Sequence, residues 1–166
     1  AFSDYNSDNV AVELNNGTGG MLAGTYKDTG VSPRSVVSAD FNGDGKNDLA
    51  SANYFDGNVS VLIGNGTGGF AAAVNYSTDT GASTVTAADF NGDGKPDLAV
   101  ANMYNGNVSV LINNGTGTFA AAVNYAAGAQ ARGVTAGDFN GDGKPDLAVA
   151  NYGSTTVSVL MNNGTG

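Results

Sequence analysis

Short segments in which apolar and polar residues alternate recur along the chain, and they predict β-strands rather than helices. In segment 107–113 the side chains of Val108, Val110 and Ile112 alternate with those of Ser109 and Leu111. A period of two places the first three on one strictly apolar face, opposite a face of small or apolar residues. We therefore expect this strand to be covered on both faces.

Four segments of this kind follow one another in the middle of the chain, at 70–76, 83–90, 97–102 and 107–113. An NGTG turn closes the series at 114–117, and Asn-Gly favours turns in which both central residues have positive φ. Four short strands per unit are typical of one antiparallel sheet, as in a propeller blade.

One nine-residue word repeats along the chain at a fixed interval. DFNGDGKPD is found at 89–97 and again at 138–146, and DFNGDGKND is found at 40–48, so that successive copies start 49 residues apart. A fixed period in this range predicts a propeller or solenoid built from one repeated unit. A two-sheet sandwich with the same number of strands is the alternative, but tandem periodicity favours the repeat architecture.

The repeats divide residues 1–166 into one repeat domain. We expect full repeats at 20–68, 69–117 and 118–166, and a partial repeat at 1–19, which aligns without gaps on 148–166. The expected fold is all-β, with propeller-type blades that are four-stranded antiparallel sheets. Because closed propellers need about four to eight blades, we expect an open arc or part of a multi-chain or longer assembly.

Composition excludes several kinds of chemistry. The chain contains no Cys and no His, which excludes disulfides, thiolate nucleophiles, Ser-His triads and most zinc or haem sites. No stretch approaches the roughly 18 apolar residues of a membrane span, and the net charge of −9 disfavours nucleic acid. We expect neither nucleic-acid binding nor membrane insertion. Nine of the 15 acidic residues lie in the three repeated loops.

The acidic loops have the pattern D-x-N-x-D-G-x-x-D, with oxygen-bearing side chains at positions 1, 3, 5 and 9 and a Gly at position 6. This resembles the calcium loop of EF-hands, in which position 7 adds a backbone carbonyl. The loops lack the Glu at position 12 and are flanked by predicted strands rather than helices. A flexible, all-oxygen ligand set favours Ca²⁺ over Mg²⁺. The alternative is that Asp-Gly and Asn-Gly pairs only form turns.

We therefore expect three Ca²⁺ sites, with the position 7 lysines contributing their carbonyls while their side chains point to solvent. The expected ligands are Asp40, Asn42, Asp44, Lys46 and Asp48; Asp89, Asn91, Asp93, Lys95 and Asp97; and Asp138, Asn140, Asp142, Lys144 and Asp146.

The segment DFNGDGKPDLAVAN, followed by VSVLINNGTGTF, resembles the FG-GAP/VCBS repeat of integrin α-subunit propellers, propeller lectins and many bacterial secreted proteins. The resemblance covers nearly the whole chain. It implies one blade per repeat, with Ca²⁺ in the hairpin between the first two strands. It also implies roles in adhesion, glycan binding or surface display, and an extracellular or cell-surface location with any signal outside this sequence.

Aromatic residues recur at equivalent positions of the repeats. Tyr5, Tyr54 and Tyr152 are equivalent, with Met103 in the fourth place, and this exchange favours packing over sugar stacking. The loop phenylalanines, Phe41, Phe90 and Phe139, are expected to anchor each hairpin against its blade.

The expected function is a noncatalytic, extracellular, calcium-binding repeat module for adhesion or for self-assembly as a ring or filament, with Ca²⁺ as a structural staple. Expected partners are further copies of the chain, and a glycan or a cell-surface protein. The alternative function is a propeller lectin with glycan sites between blades. An enzyme is not expected, because the six acids outside the loops form no recurrent pair of carboxylates.

Overall fold

The structure is a computed structural model that describes residues 1–165, and within them every regular element is a β-strand. The strands are β1 (Phe2–Asp4), β2 (Asn9–Val12), β3 (Thr25–Asp28), β4 (Pro33–Ala39), β5 (Asp48–Asn53), β6 (Asn58–Leu62), β7 (Val74–Ser77), β8 (Ala82–Ala88), β9 (Asp97–Asn102), β10 (Asn107–Leu111), β11 (Val123–Ala126), β12 (Ala131–Gly137), β13 (Asp146–Asn151) and β14 (Thr156–Leu160). In this part of the chain no helix is long and apolar enough to cross a membrane.

The strands form four antiparallel sheets in chain order. The first sheet is β1-β2-β3, the two interior sheets are β4-β5-β6-β7 and β8-β9-β10-β11, and the last sheet is β12-β13-β14. The inner strands β4, β8 and β12 contact one another in sequence. Within residues 1–165 the sheets do not close into a ring, which confirms the blade-type fold and the open arc.

Sequence repeats and sheets are offset by one strand. In the repeat 69–117 the first segment, predicted at 70–76, is the strand β7, which pairs with β6 of the preceding repeat. The strand is also shorter than predicted, because Phe70 makes only an isolated bridge to Gly64. Each repeat thus supplies the outer strand of the sheet before it, and neighbouring repeats are joined by backbone hydrogen bonds as well as by packing.

The core lies between successive sheets. Phe41, Val59 and Val61 on one sheet pack against Leu98 and Leu111 on the next. The second interface repeats these contacts, with Phe90, Val108 and Val110 facing Leu147 and Val149. Small residues such as Ala50, Ala52, Ala99 and Ala101 are fully buried in these layers, and they let the sheets approach closely.

The turns between strands use side chains of Asn. Asn65 Oδ1 accepts hydrogen bonds from the N–H groups of Thr67 and Gly69, at 2.9 and 3.0 Å. Asn114 makes the equivalent bond to Thr116. The Asn-Gly-Thr runs therefore serve as turn residues in this fold.

Candidate functional site: the acidic loops and the opposite rim

Each acidic loop connects the first two strands of its sheet. Loop 40–48 joins β4 to β5, loop 89–97 joins β8 to β9, and loop 138–146 joins β12 to β13. All three loops therefore lie at the same end of the sheets. The sequence places the position 6 glycine where a sharp turn is needed, and Gly45, Gly94 and Gly143 have φ of 80°, 83° and 84°.

The first carboxylate of each loop organises the turn. Asp89 Oδ1 accepts hydrogen bonds from the N–H groups of Gly92 and Asp93, and Oδ2 accepts one from Gly94 at 2.7 Å. The other two copies repeat the pattern through Asp40 and Asp138. These bonds stabilise the ionised carboxylate, and the N–H of Gly143 is the main cause that lowers the pKa of Asp138.

Positions 3 and 5 continue the same chain of side-chain to backbone bonds. Asn91 Oδ1 accepts from the N–H of Asp93, and Asp93 Oδ1 accepts from the N–H of Lys95, both at 3.0 Å. Each of these side chains thus turns an oxygen inward toward the loop. The Asn42–Asp44 and Asn140–Asp142 pairs do the same.

The side chains of Lys46 and Lys95 at position 7 are exposed, and each also pairs with the position 5 acid of its own loop. Lys46 Nζ lies 3.1 Å from Asp44 Oδ2, and Lys95 Nζ lies 3.2 Å from Asp93 Oδ2. The Lys46 ammonium lowers the pKa of Asp44. Lys144 instead donates to the carbonyl of Asn163 at 2.8 Å. In the first two loops the lysine ammonium group therefore balances the charge of the position 5 carboxylate, which has few other hydrogen-bond partners.

Position 9 has a second role that the sequence pattern did not reveal. Asp97 is fully buried, and its two carboxylate oxygens accept from the N–H groups of Phe90 and Asn113 at 2.9 and 2.8 Å. Asp48 and Asp146 are equally buried and make the equivalent bonds. The residue therefore ties the start of the loop to the end of the third strand. The sequence carried one signal of this role, because Asp97 directly precedes the apolar run LAVA at the start of β9.

The carboxylates at positions 5 and 9 of loop 89–97 interact electrostatically. Burial raises the pKa of Asp97, N–H donors oppose this, and repulsion from Asp93 raises it further. Such repulsion between position 5 and position 9 is what a bound cation would relieve. Within residues 1–165 no three His, Cys, Asp or Glu side chains are close enough to form a metal cluster by themselves. The expected set adds an Asn oxygen and a carbonyl to the carboxylates, and these donors fit a hard cation such as Ca²⁺.

The loop phenylalanine is an anchor in the two interior sheets. Phe41 and Phe90 are 0% and 3% exposed, whereas Phe139 is 49% exposed. Phe41 packs edge-on against Phe119, which lies between β10 and β11 of the next sheet, with ring centroids 5.5 Å apart. The anchor therefore reaches across to the following sheet, and the last copy has no such sheet within the described residues.

The opposite end of the sheets carries exposed aromatic rings and two arginines. The inner strand of each full repeat has a register shift, at Arg34, Ser83 and Arg132, and bulges of this kind redirect a side chain. Arg34 lies 3.4 Å from the centroid of the Tyr54 ring, and Arg132 lies 5.3 Å from that of Tyr152. These residues form what we call the aromatic rim, together with Tyr5, Phe55 and Tyr104.

Of the equivalent tyrosines Tyr5, Tyr54 and Tyr152, which were expected to pack in the core, only one is buried. Tyr54 is buried at 5% exposure, but Tyr152 is 64% exposed and Tyr5 is 44% exposed. Hydrogen bonds from Ser32 and Arg34 lower the pKa of Tyr5, and burial raises that of Tyr54. The prominent rings beside them, Phe55 and Tyr104, are more than 60% exposed and were not identified from the sequence.

A cavity of about 310 Å³ opens between the bulges, lined by Arg34, Ser83, Thr84 and Arg132. Ser83 and Thr84 both donate to the carbonyl of Arg132, at 2.7 and 2.8 Å. The two guanidinium groups and two hydroxyl groups give this cavity a polar, cationic lining.

Comparison with known proteins agrees with the fold. A chain from the structure of the Photorhabdus luminescens Tc holotoxin pore superposes on this chain with a TM-score of 0.54 at 17% sequence identity. The match covers 95% of this chain but only 8% of that chain. No curated protein gives a significant sequence match.

The family profile of the FG-GAP-like repeat matches residues 40–100 and 89–149. The two matches overlap on one acidic loop, and together they span more than half of the chain, including all three loops. The chain therefore belongs to the family of FG-GAP-like repeat proteins.

Proposed function

We propose that the chain is a noncatalytic, extracellular module in which Ca²⁺ bound to the acidic loops stabilises the blades, and in which the end faces of the arc mediate self-assembly and adhesion. The observation that carries this proposal is the repetition of one oxygen-rich loop three times in the same conformation. In each loop position 9 is buried and joins the acidic turn to the blade.

The staple role follows from this connection. A cation held by positions 1, 3 and 5 and by the carbonyl of position 7 would cross-link the hairpin to the buried position 9 carboxylate. A ligand that binds only the folded state stabilises it by about 2.7 kcal/mol per site at a 100-fold excess over Kd. Three sites together would then contribute as much as the whole stability of a small domain.

Thermal melting with Ca²⁺ and with a chelator tests the staple role. We expect the midpoint to rise with Ca²⁺ concentration, and Mg²⁺ at the same concentration to have a smaller effect. The matched variant carries Asp44→Asn, Asp93→Asn and Asp142→Asn, which remove one exposed carboxylate from each loop. It should melt like the chelated protein even with Ca²⁺ present. A midpoint that is indifferent to the chelator would show that these loops act as turns alone.

Self-assembly is supported by the contrast between interior and end faces. Val108 and Val110 are 0% and 5% exposed, but the equivalent Val157 and Val159 on the last sheet are 66% and 48% exposed. Burying such valines is worth about 1.5–3 kcal/mol each. Light scattering over a concentration series, with Ca²⁺ present, should show a mass above the 16.4 kDa of one chain.

A noncatalytic role is supported by the partners of the acids outside the loops. Asp8 and Asp56 accept hydrogen bonds from backbone N–H groups, of Ser32 and Val31 respectively. Asp79 accepts from the side chains of Asn105 and Asn107. These carboxylates hold turns in place, so they are poorly placed to act as an acid and base pair.

Glycan binding is the second candidate, and the aromatic rim favours it. Exposed rings such as Phe55 and Tyr104 suit the apolar faces of sugars, and the neighbouring cationic cavity suits hydroxyl or acidic groups. A glycan array probed with the wild-type chain and with a Tyr104→Ala variant distinguishes the candidates. Glycan binding by the wild-type chain that is lost in the variant would favour a lectin. If the wild-type chain binds no glycan, self-assembly and adhesion remain the proposed role.

A further inference from the structure

The first and last sheets lack complementary strands. Alignment of residues 1–19 on 148–166 makes β1 and β2 the equivalents of β13 and β14, the second and third strands of a sheet. The first sheet therefore has strands two, three and four, and the last sheet has strands one, two and three. Each three-stranded sheet contains the strand that the other one lacks.

A cavity of about 530 Å³ lies between the first sheet and the next one. Its lining combines apolar side chains, among them Val36, Leu49 and Phe70, with the polar residues Ser38, Lys46 and Asn47. In the following interface the equivalents of Leu49 and Phe70 are Leu98 and Phe119, and the ring of Phe41 packs among them. The cavity therefore has the lining that receives a loop phenylalanine from a preceding sheet.

The last sheet presents an exposed loop phenylalanine, Phe139, and two exposed valines, Val157 and Val159. In the first interface the equivalents of these valines are Val10 and Val12, which pack against Leu49 and Leu62. If the last sheet of another copy took the place of residues 1–12, its Val157 and Val159 would be buried as Val10 and Val12 are now. In addition, the ring of Phe139 would fill the cavity. The first sheet has no equivalent of this residue, because it lacks the first strand and the acidic loop.

The backbone edges are also complementary. Strand β3 pairs with β2, with Ala11 opposite Tyr26, and interior sheets pair Ser60 with Asn75 and Ser109 with Asn124 at the same place. Strand β14 has no partner on its outer edge among the described residues. By the same register, Ser158 would lie opposite Tyr26 if β14 replaced β2.

We propose that the last sheet of one copy displaces β1 and β2 of a second copy, and pairs β14 with β3 of that copy to complete a four-stranded blade. This inference rests on the proposed self-assembly and names the surfaces that perform it. Residues 1–12 then act as an internal competitor, favoured by their high effective concentration. In a longer polypeptide, a neighbouring repeat of the same chain would make these contacts.

When both ends of a chain take part in this exchange, each chain accounts for three complete blades: its two interior sheets and one hybrid blade. Two chains then supply six blades, which is within the range of about four to eight that closes a propeller. Contact between unlike ends closes into a ring when the rotation allows it. For a polypeptide of residues 1–166 in solution we therefore expect a closed dimer, formed slowly because residues 1–12 must first be released.

Two cysteine pairs in the full chain, which has no natural Cys, test the displacement. The variant with Tyr26→Cys and Ser158→Cys should form a covalent dimer on mild oxidation with Ca²⁺ present, because these positions face each other only across the hybrid blade. The variant with Ala11→Cys and Tyr26→Cys should form an internal disulfide that holds β2 in place. Its apparent dimerisation Kd should rise at least tenfold when oxidised and return to the wild-type value when reduced.

The readouts separate this inference from the proposed function. A chain that associates by light scattering, but whose first variant gives no covalent dimer and whose locked variant associates normally, would overturn the displacement and keep self-assembly. A wild-type chain that remains a monomer at all concentrations would overturn both. Circular dichroism of each reduced variant, compared with wild type, establishes that the substitutions leave the fold intact; Tyr26 is 63% exposed.

Discussion

At the scale of single residues, position 9 of the acidic loop shows how one carboxylate combines two roles. Asp97 is expected to bind Ca²⁺, yet it is buried and already accepts from two backbone N–H groups. Asp93 lies in the same loop but is exposed, and both of its partners, the N–H and the ammonium group, belong to Lys95. The two acids therefore allow metal binding and folding to be separated.

We predict that Asp97→Asn lowers stability with or without Ca²⁺. The amide NH₂ would face one of the two N–H donors, and an unsatisfied buried donor costs about 1–3 kcal/mol. Denaturant unfolding in chelator measures this cost. Asp93→Asn is the control, and it should match wild type in chelator but show a weaker response to Ca²⁺. Equal behaviour of the two variants in chelator would contradict the anchoring role of position 9.

The loop phenylalanines give a second matched pair. Phe41→Ala removes a fully buried ring that contacts Phe119, so we expect a loss of about 3–5 kcal/mol in unfolding free energy. Phe139→Ala removes a ring that is 49% exposed and should have little effect on a dilute, monomeric sample. At concentrations where the chain associates, Phe139→Ala should instead weaken association. Similar losses for both variants in the monomer would contradict the distinction between interior and end faces.

The sequence predicted positions 1, 3, 5, 7 and 9 of each loop because oxygen spacing is visible in the residue letters. It did not predict the pairing of Lys46 with Asp44, since that depends on the path of the turn. Nor did it identify Phe55 and Tyr104 of the aromatic rim, because their exposure depends on how the chain turns after the second strand of each sheet. Whether the predicted ligands bind Ca²⁺ stays a prediction.

At the scale of elements, polar side chains link the outer strands of each interior sheet. Ser60 is fully buried; its Oγ donates to Asn75 Oδ1 at 2.7 Å and accepts from Asn53 Nδ2 at 2.8 Å. It also accepts from the N–H of Gly30 at 3.1 Å. This network ties the second, third and fourth strands together and reaches the connection from the preceding sheet.

We predict that Ser60→Ala destabilises the chain by about 1–3 kcal/mol, because it leaves the buried N–H of Gly30 without its acceptor. It also removes one of the two acceptors of the Asn53 amide, which keeps its bond to Asn58. Ser158→Ala is the control. Ser158 accepts from Asn151 but lies on β14, which has no fourth strand beside it, so its loss should cost under about 1 kcal/mol. Denaturant midpoints of both variants check this, and an equal cost would show that the fourth strand adds nothing to the network.

Strand identity was predictable from sequence, whereas sheet membership was not. Alternation of Val108 and Val110 with Ser109 locates β10 correctly, since period is a local property. The first segment of each repeat pairs with a strand of the preceding repeat, as β7 does with β6. The local alternation of apolar and polar residues does not show which strand a segment will pair with. The predicted segment 70–76 also began too early, because β7 starts at Val74 and residues 70–71 make only an isolated bridge and one backbone hydrogen bond to residues 63–64.

At the scale of the whole molecule, the arc is a stack in which each sheet is stabilised by its neighbours. Stability in such repeat structures is close to a sum of unit terms and interface terms. The interior sheets have two covered faces and four strands, whereas the end sheets have three strands. Local opening should therefore be easiest at the two ends.

We predict a gradient of amide hydrogen exchange along the chain. Amides of β5 and β9, whose residues are all buried, should exchange most slowly, and amides of β1 and β14 should exchange fastest in a dilute sample. Raising the concentration with Ca²⁺ present should protect β14 and β3, while β1 and β2 lose protection as they are displaced. Mass-spectrometric exchange of peptides from each end measures both changes in one sample. Protection that increases equally at β2 and β14 would mean that copies associate without exchanging strands, because only displacement moves these two equivalent strands in opposite directions.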